Sequence, residues 1–164
     1  MEIHYFNRSK SDRYSIEKVS NSIAEELSKH HRVTSFSVPY HKLTIINAIR
    51  NCLYVYKNRT KNGVNHITGD IHYCILGLIG CKSVLTIHDL VFLHDRSSKI
   101  KYFINYLFWL WLPVKLATKI VCISESTRDD LNLHIKTDKV SVIYDPVEMK
   151  VDPNNFICFF FKAF

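Results

Sequence analysis

Glycine is scarce in this chain, which holds four glycines and four prolines among 164 residues. The sequence contains no G-x-G-x-x-G and no G-x-x-x-x-G-K-[ST], the loops in which glycine lets the backbone approach a nucleotide phosphate. It also lacks G-x-S-x-G, the turn that carries the nucleophile of α/β-hydrolases. These absences argue against a dinucleotide-dependent dehydrogenase, a P-loop enzyme and an α/β-hydrolase.

Cysteine pairs with metal or redox spacing are absent as well. None of the five cysteines belongs to a C-x-x-C pair, and most lie in apolar runs. This favours reduced, buried thiols over a disulfide framework or a zinc site. Among the nine histidines, His88 and His94 each precede an Asp, but His-x5-His is not a standard ligand spacing and no motif completes it. We therefore expect no metal and no cofactor.

No hydrophobic run is long enough to span a bilayer, which needs about 20 apolar residues. The longest run, residues 102–114, is interrupted by Pro113. Residues 1–6 have neither a basic nor a long apolar region of the kind found in signal peptides. We therefore expect a cytoplasmic protein.

The composition is that of one globular domain, with 47% hydrophobic and 23% charged residues. Lys and Arg number 22 and Asp and Glu 15, which gives a net charge of +7. A basic balance favours contact with phosphates, nucleic acid or anionic lipid, and does not choose among them.

Short β-like runs alternate with stretches of helical period along the chain. The runs are residues 2–6, 33–38, 64–67, 83–88, 119–123 and 139–143. The helical stretches are residues 16–27, 45–56, 70–79 with Asp70 as N-cap, 100–111, and a helix that starts with a capping box at residues 126–129. Six such alternations predict an α/β fold, a Rossmann-like domain with a mainly parallel sheet of six or seven strands.

The stretch from Ile100 to Trp111 carries a continuous apolar stripe, which we assign to the core. Its other face is apolar too, and lysines stand at both ends. A helix of this kind also suits a membrane interface or a partner surface, so residues 99–115 are a candidate for peripheral membrane contact at the inner face of the membrane.

Polar clusters follow most of the predicted strands. In open α/β sheets ligands bind beyond the carboxyl ends of the strands, so these clusters should meet at one edge. They are residues 7–14, 68–70, 88–89, 124–126 and 144–146. Each of these residues also has a purely structural explanation. His88 is a histidine at the end of a strand, and Asp89 caps a turn. Ser124 and Ser126 start a helix, and Arg8 belongs to a solvated basic loop.

Two pairs of segments resemble the N-terminal domain of the retaining glycosyltransferases of family 4. The first is N-H-I-T-G-D-I-H-Y at 65–73 followed by T-I-H-D-L at 86–90. The second is I-V-C-I-S-E-S-T at 120–127 followed by V-S-V-I-Y-D-P-V at 140–147. The resemblance covers residues 1–150 and is greatest to bacterial members that build cell-surface polysaccharide.

The resemblance implies a GT-B fold, in which two Rossmann-like domains face each other across a cleft. The first domain would bind a glycan or lipid-linked acceptor, and the second would bind a nucleotide-sugar donor. It implies a hexosyltransferase-type reaction without metal, with His88 as the catalytic candidate at the cleft end of its strand. The acceptor-binding candidates are Arg8, Tyr14, Thr68, Gly69, Asp70, Asp89, Ser124 and Glu125.

This chain departs from the family pattern at three places. Asn7-Arg8-Ser9 stands where many members have a Gly-Gly pair, and Tyr144-Asp145-Pro146 stands where Pro-Asn-Gly is usual. Residues 151–164 resemble a hinge and the first strand of the donor domain, whose remainder the sequence does not contain. We therefore expect residues 1–164 to be inactive alone.

Two other classes of function stay open at this point. One is a truncated or defunct gene product with no activity. The other is a standalone basic module that binds nucleic acid, which should interleave basic and exposed aromatic residues on one face. Here the aromatic residues concentrate in one helix and the basic residues are scattered, so we expect no nucleic-acid partner.

Overall fold

A six-stranded parallel sheet forms the centre of the molecule. The computed structural model describes residues 1–9, 15–93 and 98–145, without the side chains of residues 15–17. The strands are β1 Glu2–Asn7, β2 Arg32–Ser37, β3 Val64–Ile67, β4 Ser83–Ile87, β5 Lys119–Cys122 and β6 Val140–Val142. Their order is β2-β1-β3-β4-β5-β6, and every neighbouring pair is parallel. The predicted Rossmann-like α/β class with a mainly parallel sheet is confirmed.

Helices connect the strands. They are α1 Ser15–Ser28, α2 Ile45–Asn58, α3 Lys99–Asn105, α4 Leu112–Leu116 and α5 Glu125–His134. Two 3₁₀ helices span His72–Leu78 and Val91–Leu93, and a π-helix, Tyr106–Trp111, joins α3 to α4. No helix in the described ranges is long and apolar enough to cross a membrane.

The central strands are buried because helices cover both faces of the sheet. Phe6, Ile67, Leu85, Ile87 and Ile120 are all fully buried. Parallel sheets covered on both faces need such apolar strands, which explains why β4 and β5 read as continuous hydrophobic runs in the sequence.

The strand order reverses between β1 and β3. The connection after β1 leads outward to β2, whereas the connection after β3 leads the other way to β4. Loops that diverge in this manner leave a crevice at the carboxyl ends of the two strands, where open α/β sheets bind ligands. The loops after Asn7 and Ile67 are therefore the candidate ligand-binding loops of this fold.

The predicted cap of the helix at residues 70–79 is wrong. The segment forms a 3₁₀ helix from His72, its capping position is Ile71, and no side chain caps it. The physical reason lies in Gly69, whose φ of 72° turns the chain before Asp70. The carboxylate of Asp70 instead faces Arg8, at 3.6 Å between Oδ2 and Nη1.

The predicted start of the last helix at Ser126 is also wrong. Helix α5 begins at Glu125, and Ser124 is its N-cap. The Ser124 hydroxyl accepts a hydrogen bond from the Thr127 backbone N–H at 3.1 Å, because the extended backbone of Ser124 aims its side chain at the third helical residue.

The stripe from Ile100 to Trp111 is not the core face that the sequence predicts. Ile100 is 73% exposed and Phe103 is 61% exposed, whereas Tyr102 and Trp109 pack against the core. Both exposed residues lie on α3, ahead of the π-helix, and this helix is apolar on its other face too, so periodicity alone did not identify the face that packs against the core. Much of this stripe therefore faces solvent.

Candidate functional site

A buried polar network ties together the ends of β1 and β3 at the point where the strand order reverses. The Asn7 side-chain oxygen accepts hydrogen bonds from the Ser20 hydroxyl at 2.7 Å and from the Thr68 hydroxyl at 2.6 Å. All three residues are at most 7% exposed. Asn7 therefore links β1 and α1 to the loop after β3.

The loop after β3 presents a carboxylate to solvent. Gly69 adopts a positive φ, which a side chain would disfavour, and Asp70 follows it. Arg8, from the loop after β1, lies largely covered and 3.6 Å from this carboxylate. One cation and one carboxylate thus stand side by side at the mouth of the crevice.

His88 follows β4 and faces a carboxylate from the far side of the sheet. Its Nδ1 lies 3.7 Å from Oδ2 of Asp145, which comes after β6. The His88 side chain is 13% exposed and the Asp145 side chain 32%. The two side chains reach each other across the end of β5, which lies between β4 and β6.

Two further histidines lie within electrostatic reach of His88: His72 is buried and His66 is half-buried. His66 Nε2 lies 2.7 Å from the Thr86 hydroxyl, and burial lowers the pKa of His66 to about 4, with a smaller lowering by His88. Burial likewise lowers the pKa of His72. Its Nδ1 lies 2.8 Å from the carbonyl oxygen of Trp109. Because a carbonyl only accepts, Nδ1 of His72 carries the proton and donates it to this bond.

The charges around His72 show how closely the candidate residues gather. Asp70 and Asp89 act to raise the pKa of His72, and His88 acts to lower it, all by less than the effect of burial. The loops after β3 and β4 therefore lie within electrostatic reach of each other.

Helix α5 begins beside His88. The Thr127 hydroxyl donates to the backbone carbonyl of His88 at 3.1 Å and also lies 2.9 Å from the Ser124 hydroxyl. The capping bonds engage the Ser124 side chain, and the Glu125 carboxylate pairs with Arg128. The N-terminus of α5 is thus fixed to the strand end that carries His88, and the helix dipole adds positive potential there.

A depression of about 480 Å³ lies next to this helix. Asp89, Asp129 and Asp130 contribute carboxylates to it. Asp89 accepts the Val91 backbone N–H at 3.1 Å, so it caps a turn as the sequence indicates, and it remains exposed. Carboxylate oxygens in a depression of this size are suitable acceptors for hydroxyl groups of a ligand.

The described residues contain no group of three or more His, Cys, Asp or Glu side chains that could hold a metal ion. Four cysteines in these ranges are free, and Cys74 and Cys122 are buried. Burial raises the pKa of the Cys122 thiol to about 11. A protonated, buried thiol is a poor nucleophile, so Cys122 serves packing.

The structure places most of the predicted site residues along one edge of the sheet. Those after their strands or at the start of α5 are Arg8, Thr68, Gly69, Asp70, His88, Asp89, Ser124 and Glu125. Tyr14 lies outside the described residues. Sequence reasoning placed Asn7 and Asp145 in polar clusters at strand ends but did not single them out as site residues. It did not single out His66 or His72 either, since His66 lies within β3 and His72 in the 3₁₀ helix that follows.

The parallel sheet and the polar residues at the carboxyl ends of its strands are those of a Rossmann-like α/β domain. Its ligand crevice lies between β1 and β3, where the strand order reverses. The sequence model of Glycosyltransferase Family 4 matches residues 20–151. The chain belongs to this family, and its fold and the match support a glycosyltransferase-like function. Comparison with curated proteins gives no significant match.

Proposed function

We propose that residues 1–150 form the acceptor-binding half of a retaining glycosyltransferase with the GT-B fold. In this proposal the domain holds a glycan or lipid-linked acceptor, and a second domain, beginning in residues 151–164, brings the nucleotide-sugar. The reaction is a hexosyl transfer in the synthesis of cell-surface polysaccharide. The protein works in the cytoplasm, at the inner face of the membrane.

The position of His88 carries the proposal. Open α/β sheets bind ligands beyond the carboxyl ends of their strands, and His88 follows β4 at that edge, one strand away from the crevice between β1 and β3. A carboxylate lies 3.7 Å from its Nδ1. A histidine oriented in this way can donate a hydrogen bond from its other nitrogen to an acceptor or sugar oxygen as charge develops.

The other candidates supply acceptor contacts. Asp70 and Asp89 are exposed carboxylates that suit sugar hydroxyls better than phosphates, because they repel anions. Arg8 belongs to the loop after β1, and Tyr14 follows it in the sequence. Thr68 and Gly69 shape the loop after β3. Ser124 and Glu125 set the first turn of α5, whose dipole favours a departing diphosphate without a metal.

Calorimetry tests which half of the transferase this domain is. Residues 1–164 titrated with UDP- and GDP-sugars should show no binding at micromolar concentrations, because the donor contacts belong to the second domain. Fusing a family 4 donor domain after Val147 should create both donor binding and sugar transfer. Micromolar affinity of residues 1–164 for a nucleotide-sugar would contradict the assignment. A fusion that binds the donor and transfers nothing would indicate a defunct acceptor half.

A further inference from the structure

Two thiols lie side by side where α2 packs on the 3₁₀ helix His72–Leu78. Cys52 belongs to α2 and Cys74 to the 3₁₀ helix, and both are free. The Cys52 thiol donates a hydrogen bond to the carbonyl oxygen of Tyr73, at 3.6 Å, and Tyr73 directly precedes Cys74. The Cys74 thiol in turn lies close enough to Cys52 to act as a hydrogen-bond donor to its sulfur. The two cysteines, distant in sequence, thus form a dithiol pair in the fold.

Close packing of the two helices holds this pair in place. A Cβ atom on Gly77 would stand 2.5 Å from the carbonyl oxygen of Cys52, so only glycine allows the 3₁₀ helix to approach α2 in this way. The Asn51 side-chain amide donates to the Tyr73 hydroxyl at 2.9 Å. Tyr73 and Gly77 stand before and after Cys74 in the chain, and both contact α2. The position of the Cys74 thiol beside Cys52 therefore follows from the packing of the two elements.

The two thiols differ in access and in acidity. Cys52 is half-buried and lines an apolar groove of about 710 Å³ that opens at the surface between α2 and the π-helix, whereas Cys74 is buried. The hydrogen bond from Cys74 lowers the pKa of Cys52, against a smaller rise caused by burial. Burial raises the pKa of Cys74 well above its usual value. Because the thiolate is the reactive form, Cys52 is the attacking thiol and Cys74 the resolving thiol.

We propose that Cys52 and Cys74 are a modification site, at which a small, uncharged disulfide oxidises the pair to a reversible protein disulfide. The reagent reaches Cys52 through the groove, whose apolar lining favours an uncharged molecule over a charged one. Reversible disulfides of this kind are the ones that proteins of reducing compartments use to sense oxidants. The modification goes beyond the proposed sugar transfer and does not depend on it.

The reaction consists of two successive thiol–disulfide exchanges. The Cys52 thiolate attacks one sulfur of the reagent, whose S–S bond breaks as the new S–S bond to Cys52 forms. The released thiolate takes up the proton that Cys52 gave to the solvent. Cys74 then gives up its proton and attacks Sγ of Cys52, and the second half of the reagent leaves with that proton as a thiol. Two protein thiols are thereby oxidised, and one reagent disulfide is reduced to two thiols.

The protein disulfide forms next to the candidate ligand-binding loops. The ring of Tyr73, the neighbour of Cys74, packs against Trp109 with 4.9 Å between the ring centres. The indole N–H of Trp109 donates to the backbone carbonyl of Asp70 at 3.0 Å. A disulfide at this place ties α2 covalently to the 3₁₀ helix that follows the loop after β3, so the modification site adjoins that loop.

Peptide mapping of residues 1–164 tests the proposal without any activity assay. The folded chain is incubated with 2-hydroxyethyl disulfide, the remaining thiols are alkylated, and the chain is cut with trypsin without reduction. Mass spectrometry should show peptides 51–57 and 62–82, which carry Cys52 and Cys74, joined by a disulfide. Dithiothreitol should separate the two peptides again, because the bond is reversible.

Cys81→Ser is the matched control, because Cys81 is half-buried and lies in the same tryptic peptide as Cys74. This variant should form the joined peptides as the unchanged chain does. Cys52→Ser should lower their yield by more than about tenfold, whereas Cys74→Ala should accumulate the mixed disulfide on Cys52, since no thiol resolves it. Circular dichroism checks the fold of each variant, and Cys52→Ser decides the test if the buried replacement Cys74→Ala unfolds.

The other outcomes would overturn the proposal. A folded chain that forms no joined peptides, or that stops at the mixed disulfide, would show that Cys74 does not resolve the bond. A linkage of Cys52 to any other cysteine would contradict the pairing. Joined peptides that form only in urea would show that the pairing does not belong to the folded chain.

Discussion

His88 and Asp145 lie on loops from two strands that do not touch, yet Nδ1 of the first is 3.7 Å from Oδ2 of the second. The contact spans the end of β5, so it depends on the order β4-β5-β6 in the sheet. It gives His88 a carboxylate beside one of its two ring nitrogens.

Asp145 should therefore act as a positioning residue for His88. In a fusion with a donor domain, Asp145→Ala should lower kcat by about tenfold to a hundredfold, because a misplaced imidazole no longer meets its target. Asp145→Asn should keep most of the activity, since the amide keeps the size of the side chain and an oxygen beside Nδ1. Equal loss in Asp145→Asn would show that the charge matters instead, and unchanged kcat in Asp145→Ala would contradict the positioning role.

His66 makes the stability of the fold depend on pH. Its pKa in the folded protein is about 4, below the usual 6.5, so the unfolded chain binds the proton more readily. Stability should be fully present above about pH 6.5 and should fall as the pH drops towards 4, by on the order of 3 kcal/mol. Urea unfolding at several pH values measures this.

His66→Gln is the control for that titration. Glutamine can still bond to the Thr86 hydroxyl but does not titrate, so the variant should lose less stability between pH 6.5 and 4 than the unchanged chain. His72, whose pKa burial also lowers, should account for part of the remaining loss. Identical pH profiles for the two proteins would show that His66 is already charged or already exposed in the fold.

Asn7 should be a stability residue rather than a ligand contact. Asn7→Ala leaves the buried hydroxyls of Ser20 and Thr68 without their shared acceptor, which should cost about 2–3 kcal/mol of unfolding free energy. Asn132→Ala, at an exposed position on α5, should change stability by less than about 0.5 kcal/mol. Chemical denaturation of the two variants under the same conditions compares them, and equal midpoints would rule out the network as a source of stability.

The class of fold could be predicted from the sequence because strand and helix periods differ so clearly. All six strands lie where the apolar runs indicated, to within one or two residues at each end. The errors of prediction concerned local structure. The predicted cap at Asp70 does not form because Gly69 turns the chain first. The exposed stripe after Ile100 was assigned to the core because this helix is apolar on both faces, and periodicity does not show which of the two packs.

The sequence predicted only which edge of the sheet carries the candidate site, and not which side chains meet there. Parallel strands bring their carboxyl ends together, so the polar residues after each strand were expected to converge. The pairing of His88 with Asp145, 57 residues later, depends on the order of β4, β5 and β6, which local periodicity does not reveal.

The measurement that tests the account most directly is turnover and thermal melting of His88→Ala on one preparation, in the fusion with a donor domain after Val147. The account predicts a loss in turnover of about 10²–10³ with little change in Tm, because the imidazole lies at the crevice and donates a preorganised hydrogen bond. Unchanged turnover per folded molecule together with a large drop in Tm would contradict it. That result would make His88 a packing residue.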